Sequence, residues 1–376
     1  MNATPFVYGK VADNENFTDR EHDLNYLTNN FKGLINTIII SPRRWGKTSL
    51  VNKTVDEFAK NSDYIICKID IFNCRTEEQF YTAFANSVLK SSFTAWEEFI
   101  GGAKKYLMRM LPKIAMSDNT QNFELSFGID FKDHSLSFDE ILDLPQTIAK
   151  DKNKNVIVCI DEFQNINEYN DSLGFQQKLR SHWQLHNKVC YCLYGSKRHM
   201  LLNIFSDNRM PFYKFGDIHF LQKISRPDWV VFIEKRFKDT GKKITPELCG
   251  IIADKTKNHP YYTQQLSQQV WLRTPHESSA EIVNEAFDAL VNQLSLLFSN
   301  IIDSLTAKQI SFLVAIANGE KNFSSKETLR KYDLGTSANI KNLKQVALNK
   351  DIIDILPENI IEFQDPVFEY WIKNSF

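Results

Sequence analysis

Three short stretches hold residue types that could do chemistry together. The first is Ser41-Pro42-Arg43-Arg44-Trp45-Gly46-Lys47-Thr48, between the apolar run Leu34–Ile40 and the helix-like Ser49-Leu50-Val51-Asn52. A strand, a loop ending in Gly-Lys-Thr and a helix form a concave, positive site for phosphate oxygens, built from backbone N–H groups and the helix N-terminus. Lys47 would reach the β- and γ-phosphates, and Thr48 would offer its hydroxyl to Mg2+. Ser41 stands where the first glycine of this loop pattern is expected. Glycine serves where φ is positive or where backbone must approach closely. Ser41 therefore implies either a less strained corner or weaker binding.

The second stretch is Ile160-Asp161-Glu162, the end of an apolar run that starts at Asn155. A carboxylate at such a strand tip can hold Mg2+, usually through water, which gives Asp161 the metal role beside Thr48. The next carboxylate, Glu162, can polarise an attacking water as general base. The third stretch is Gly195-Ser196-Lys197-Arg198, after the apolar run Val189–Tyr194. Ser196 could sense the γ-phosphate and Arg198 could neutralise charge in the transition state. A glycine turn followed by a solvent arginine is the alternative reading.

The elements that must position these residues follow from periodicity. Tyr64–Phe72 is near-continuously apolar, as a buried parallel strand should be. Asp70 near its end could face the site or cap the helix that starts near Glu77. Further helices are expected over about 138–150 and 173–186, and an edge strand ending at Leu221. Strands thus alternate with helices from 34 to 221, which argues a parallel sheet with its ligands at the strands' C-terminal ends. Residues 91–145 read as an insertion: a helix with Phe99, Leu107 and Leu111 on one side and Lys104, Arg109 and Lys113 on the other, then a period-two stretch, Phe123–Phe131.

After Leu221 the pattern is helical. Prolines open helices at Pro227 and Pro260, and residues 222–292 read as a helical lid. Residues 293–376 read as three helices starting near Thr306, Ser325 and Ser337, then a hairpin of Ile352–Leu356 and Ile360–Phe363 across Pro357-Glu358-Asn359: a winged helix. Lys341, Lys344 and Lys350 lie on or beside its recognition helix. The segment nevertheless carries nine Lys/Arg against ten Asp/Glu, and DNA binding needs a basic face.

The chain has 376 residues, 43% hydrophobic and 24% charged, which suits two or three globular domains. A net charge of −1 excludes a global field for nucleic acid or anionic membranes. The six cysteines form no CxxC pair, so reduced core cysteines are expected rather than disulfides or zinc. No signal peptide and no apolar stretch of ~20 residues is visible, so a cytoplasmic location is expected.

With these stretches in order, the chain resembles the archaeal-type ATPases of the STAND group, relatives of AAA+ proteins. The resemblance rests on Phe17-Thr18-Asp19-Arg20-Glu21, the loop Ser41–Thr48, Ile160–Gln164, Gly195–Arg198, His259-Pro260-Tyr261 and Asp365-Pro366-Val367-Phe368-Glu369-Tyr370-Trp371. It implies an α/β P-loop core, a helical lid and a C-terminal winged helix. It implies that Arg20 lies in the segment against the adenine, although Asp19 stands where the family has glycine. Lys47, Thr48, Asp161 and Glu162 would handle phosphate and Mg2+, joined by the loop residues Arg43, Arg44, Trp45, Gly46 and Ser49. Ser196 and Arg198 would sense the nucleotide, with His259 and Pro260 of the lid near it. The expected function is a slow, Mg2+-dependent ATPase acting as a switch that engages a partner, with ATP-dependent self-assembly as a family expectation. The alternatives are a DNA-binding ATPase similar to archaeal origin-recognition proteins, which the charge count disfavours, and a nucleotide-binding scaffold with little turnover.

Overall fold

The computed structural model describes residues 4–10, 17–18, 20–93, 106, 138–356 and 359–376. Most of the expected insertion, including the stretch Phe123–Phe131, lies outside them, as do Asp19 and the hairpin residues Pro357 and Glu358. The described residues divide into two compact units.

The first unit holds Glu21–Ser41 and Lys47–Leu221. In chain order it contains α1 (Glu21–Lys32), β1 (Thr37–Ile40), α2 (Lys47–Phe58), β2 (Tyr64–Asp70), α3 (Glu77–Ser92), α4 (Phe138–Asp151) and β3 (Asn155–Asp161). A 3-10 helix (Phe163–Glu168), α5 (Ser172–Trp183), β4 (Val189–Gly195), α6 (Arg198–Ser206) and β5 (Asp217–Phe220) complete it. The five strands form one parallel sheet in the order β2-β3-β4-β1-β5. β1 and β4 are buried along their full length, which is why they read as unbroken apolar runs.

β1 is shorter than its apolar run because Leu34 adopts a left-handed conformation (φ 51°) and ends the turn after α1. β2 stops at Asp70, whose carboxylate accepts the Phe72 N–H at 2.8 Å and closes a turn. The cap of α3 is Thr76, which accepts from Gln79 N. Asp70 is therefore a turn residue, not that helix's cap. Behind β3 and β4 the aromatic side chains interlock, with Trp183 stacked on Tyr191 at 4.3 Å between centroids. Such a pair adds about 0.5–1.5 kcal/mol beyond the area it buries.

The second unit holds the described residues up to Arg20, Pro42–Gly46 and Gln222–Phe376. Its helices are α7 (Arg226–Asp239), α8 (Pro246–Lys255), α9 (Pro260–Arg273), α10 (Ala280–Asp303), α11 (Ala307–Ala317), α12 (Lys326–Lys331) and α13 (Ser337–Asn349). β6 (Ile353–Ile355) pairs antiparallel with β7 (Ile361–Phe363), and α14 (Pro366–Ser375) closes the chain. Most of the helix starts are side-chain caps. Ser225, Thr245 and Ser279 accept N–H groups of α7, α8 and α10. Thr306 and Gln309 form a reciprocal capping box at α11.

The 292/293 boundary read from the sequence falls inside α10, which continues unbroken to Asp303. One apolar core runs from Phe6 and Trp229 through Phe287 and Phe298 to Phe368. The lid and winged-helix segments therefore share a hydrophobic interior. No helix among the described residues is long and apolar enough to cross a membrane.

Candidate functional site

In the first unit, register decides which strand tips meet. Ile40 lies beside Gly195, and Ile160 beside Leu193, so the segments after β1, β3 and β4 leave the same sheet edge. That edge, at a reversal of strand order, is where parallel sheets place ligands.

The Ser41–Thr48 loop has two left-handed residues, Arg44 (φ 62°) and Gly46 (φ 92°). A Cβ on Gly46 would meet nothing within 4 Å, so its glycine is required by conformation rather than by space. Ser41 is outside the left-handed region, and this resolves the corner as an unstrained one. Its carbonyl accepts the buried Lys47 ammonium at 3.1 Å. α2 starts at Lys47, which puts a helix N-terminus, the backbone arrangement that binds anions, at the end of the loop.

Thr48 Oγ donates to Asp161 Oδ2 at 2.9 Å. Burial pushes the Asp161 carboxyl up to about 6; the Thr48 hydrogen bond opposes that shift and the adjacent Glu162 carboxylate adds to it. A half-buried carboxylate beside a hydroxyl at a phosphate loop fits Mg2+, which takes one or two protein oxygens and fills its octahedron with water and phosphate.

Glu162 has φ 55°, at the sharp turn from β3 into the 3-10 helix. Its Oε2 accepts from Ser196 Oγ at 2.9 Å and from Gln164 Nε2. Gln164 is buried and lies directly on Gly195, where an added Cβ would sit 1.8 Å from its Oε1. Sequence reasoning assigned no role to Gln164 or Gly195; the close pass of Gln164 over a glycine is a tertiary fact. Arg198 begins α6, and its guanidinium lies over the Phe220 ring at 5.5 Å. The structure thus brings Glu162 and Ser196 together and places Arg198 against Phe220.

In the second unit, the tip of the same loop is held by other partners. Arg20 is buried and donates to Trp45 O at 3.1 Å and to Gln222 O at 2.6 Å, so its guanidinium braces backbone. Arg43 pairs with Asp351 at 3.5 Å. Arg44 lies over the Tyr261 ring at 4.6 Å, and Lys223 over Trp45 at 5.4 Å. His259 caps α9, with Pro260 as the helix's first residue. Burial, then the charges of Lys223 and Arg44, push the His259 imidazole down to about 3, so it is neutral. Tyr262 donates its hydroxyl to Asp365, the cap of α14, which also accepts Val367 N and Phe368 N at 2.9 Å.

Sheet order, loop geometry and the Thr48–Asp161 pair define a P-loop α/β fold, followed along the chain by a winged helix. Residues 296–374 match the family described as a probable winged helix domain. Comparison with curated protein sequences gave no match. Among solved structures, the Walker-type ATPase paby2304 of Pyrococcus abyssi is similar with a TM-score of 0.68 at 15% identity, covering 98% of this chain and 99% of that one. The Aeropyrum pernix ORC2 protein, in ADPNP–ADP complexes, is similar with a TM-score of 0.59 at 13% identity, covering 98% of each chain. At these identities the likenesses establish the fold.

Proposed function

We propose that this chain binds ATP with Mg2+ and hydrolyses it slowly, as a nucleotide-controlled switch that engages a partner. The observation that carries this reading is the Thr48–Asp161 hydrogen bond at the phosphate loop. Bound Mg-ATP supplies the scissile phosphoanhydride and the divalent charge. Lys47 and the first N–H groups of α2 bind the phosphates, while Thr48 and Asp161 hold the metal. Glu162 takes the proton of the attacking water. Its acceptor oxygen receives hydrogen bonds from Ser196 and Gln164, which hold the carboxylate in one orientation.

The switch reading has its own support. The chain passes from one compact unit to the other at Ser41/Pro42 and back at Gly46/Lys47, within the phosphate loop itself. Arg20, Arg43, Arg44, Trp45, His259 and Pro260 belong to the nucleotide-responsive side of this proposal. The test is a nucleotide titration run beside a phosphate-release assay on Glu162→Gln. Retained binding with lost release supports the ATPase; unchanged release sinks it; tight binding with no release even in the native chain leaves a scaffold.

A second reading, DNA binding, gains one observation. α13 contains no acidic residue, and its exposed side carries Asn339, Lys341, Asn342 and Gln345. Several acids of the winged helix are occupied elsewhere: Glu320 by Lys331, Glu369 by Lys257 and Glu362 by Lys223. The even charge count therefore does not describe the recognition helix. A salt-dependent gel shift lost in a Lys341→Ala/Lys344→Ala double variant would support this reading; no shift at low salt would end it.

A further inference from the structure

We propose that the second unit carries a separate ligand site, a cavity that takes a small organic phosphate. Its volume is about 460 Å3, and eight of its twelve lining residues come from the winged-helix segment. That volume lies in the ordinary range for small-molecule sites.

The wall chemistry selects the ligand. Two carboxylates line the cavity, and both are engaged: Asp351 with Arg43, and Asp365 with the Tyr262 hydroxyl and two N–H groups of α14. Two further cations line it, Arg44 and Lys350. Neither has a carboxylate at ion-pair distance among the described residues; Arg44 rests on Tyr261, and Lys350 Nζ donates to Ser304 Oγ at 3.3 Å. The cavity therefore has a positive surplus, and Arg and Lys are the side chains that bind phosphate through charge-assisted hydrogen bonds. His259 also lines it, 4% exposed, and its Nδ1 has no hydrogen-bond partner among the described residues. Held neutral, this ring offers a hydrogen bond rather than charge to a ligand hydroxyl or ring nitrogen. Ile301, Ile352 and Phe368 give the cavity an apolar surface for the rest of the molecule.

The site does not depend on ATP binding at Lys47 and Thr48, and the experiment separates the two. Phenyl phosphate is titrated calorimetrically into the full chain saturated with Mg-ADP, with phenol and inorganic phosphate as comparisons. One saturable phenyl phosphate per chain is expected, tighter than inorganic phosphate, with no response to phenol. Lys350→Ala and Lys350→Glu should weaken it at least tenfold, while the ligand-free thermal midpoint and ADP affinity stay at native values. Arg44→Ala should weaken it comparably. A Lys47→Ala chain, which should not hold ADP, should still bind phenyl phosphate. Absence of saturable binding, equal binding by Lys350→Ala, or competition between ADP and phenyl phosphate would each overturn the proposal, the last by making the cavity part of the nucleotide site.

Discussion

Thr48 Oγ donates to Asp161 Oδ2 across 2.9 Å, although the two residues are 113 positions apart in the chain. The contact exists because the parallel sheet places the end of β3 at the same edge as the phosphate loop. It also puts a carboxylate where burial disfavours its charge. Function and stability therefore oppose each other at Asp161. Asp161→Asn is expected to remove the Mg2+ dependence of ATP binding, so that affinity in Mg2+ equals affinity in chelator. Without ligand, the same variant should melt at or above the native temperature at pH 8, because a buried charge has gone. A lower midpoint would refute this account of the site.

Lys47 is expected to be the residue that nucleotide affinity depends on most. Its ammonium is buried and bonded to the Ser41 carbonyl, so the side chain is already held in the loop. Lys47→Ala should lower ATP affinity by about a hundredfold or more, the loss typical when a charge-assisted hydrogen bond goes. Fluorescent-nucleotide titration with circular dichroism as folding control would measure it.

The Glu162 cage gives three linked expectations. Glu162→Gln should bind ATP normally and lose turnover by about 10²- to 10⁴-fold, the scale of general-base catalysis. Ser196→Ala should lower kcat about tenfold with binding unchanged, because one donor that orients Glu162 is removed. Gly195→Ala should do the same indirectly. Its Cβ would sit 1.8 Å from Gln164 Oε1 and displace the amide that also holds Glu162. Single-turnover phosphate release on the three variants would rank them.

His259 sets a pH dependence of stability whose sign is fixed by burial. Its folded-state value is near 3, below the ordinary 6.5, with burial the largest cause and the Lys223 and Arg44 charges next. Unfolding below the ordinary value therefore takes up a proton, and stability falls as pH drops from about 6.5 toward 3. Between pH 7.5 and 5.5 this one group should account for about 1 kcal/mol of lost stability. Urea unfolding of native and His259→Asn chains at the two pH values would show the difference; equal losses would refute it.

Much of this was legible in local sequence. Lys47, Thr48, Asp161 and Glu162 could be assigned roles because loop and strand-tip motifs constrain residue type over a few positions. The helix starts at Pro227, Pro260 and Thr306 were readable for the same reason, since capping is local. Gln164 was not assignable, because its role depends on passing from the 3-10 helix over Gly195 of β4. Arg20 was placed with the adenine segment by resemblance, and the bonds of its guanidinium to the carbonyls of Trp45 and Gln222 could not be read from spacing. Arg44 was grouped with the nucleotide by its place in the loop. Its backbone is left-handed, and its side chain rests on Tyr261 and lines the winged-helix cavity.

By itself the sequence determined the strand–loop–helix at Gly46-Lys47-Thr48, the alternation of elements to Leu221 and the helical character of the chain from Gln222 onward. Each of these is dictated by side-chain periodicity and turn chemistry within about a dozen residues. Only the tertiary structure decided that Thr48 meets Asp161 and that Ser196 and Gln164 hold Glu162. It also decided that α10 carries one apolar core past the 292/293 boundary. Those outcomes depend on strand order, register and the packing of distant apolar faces, and none of these is encoded in the spacing of neighbouring residues.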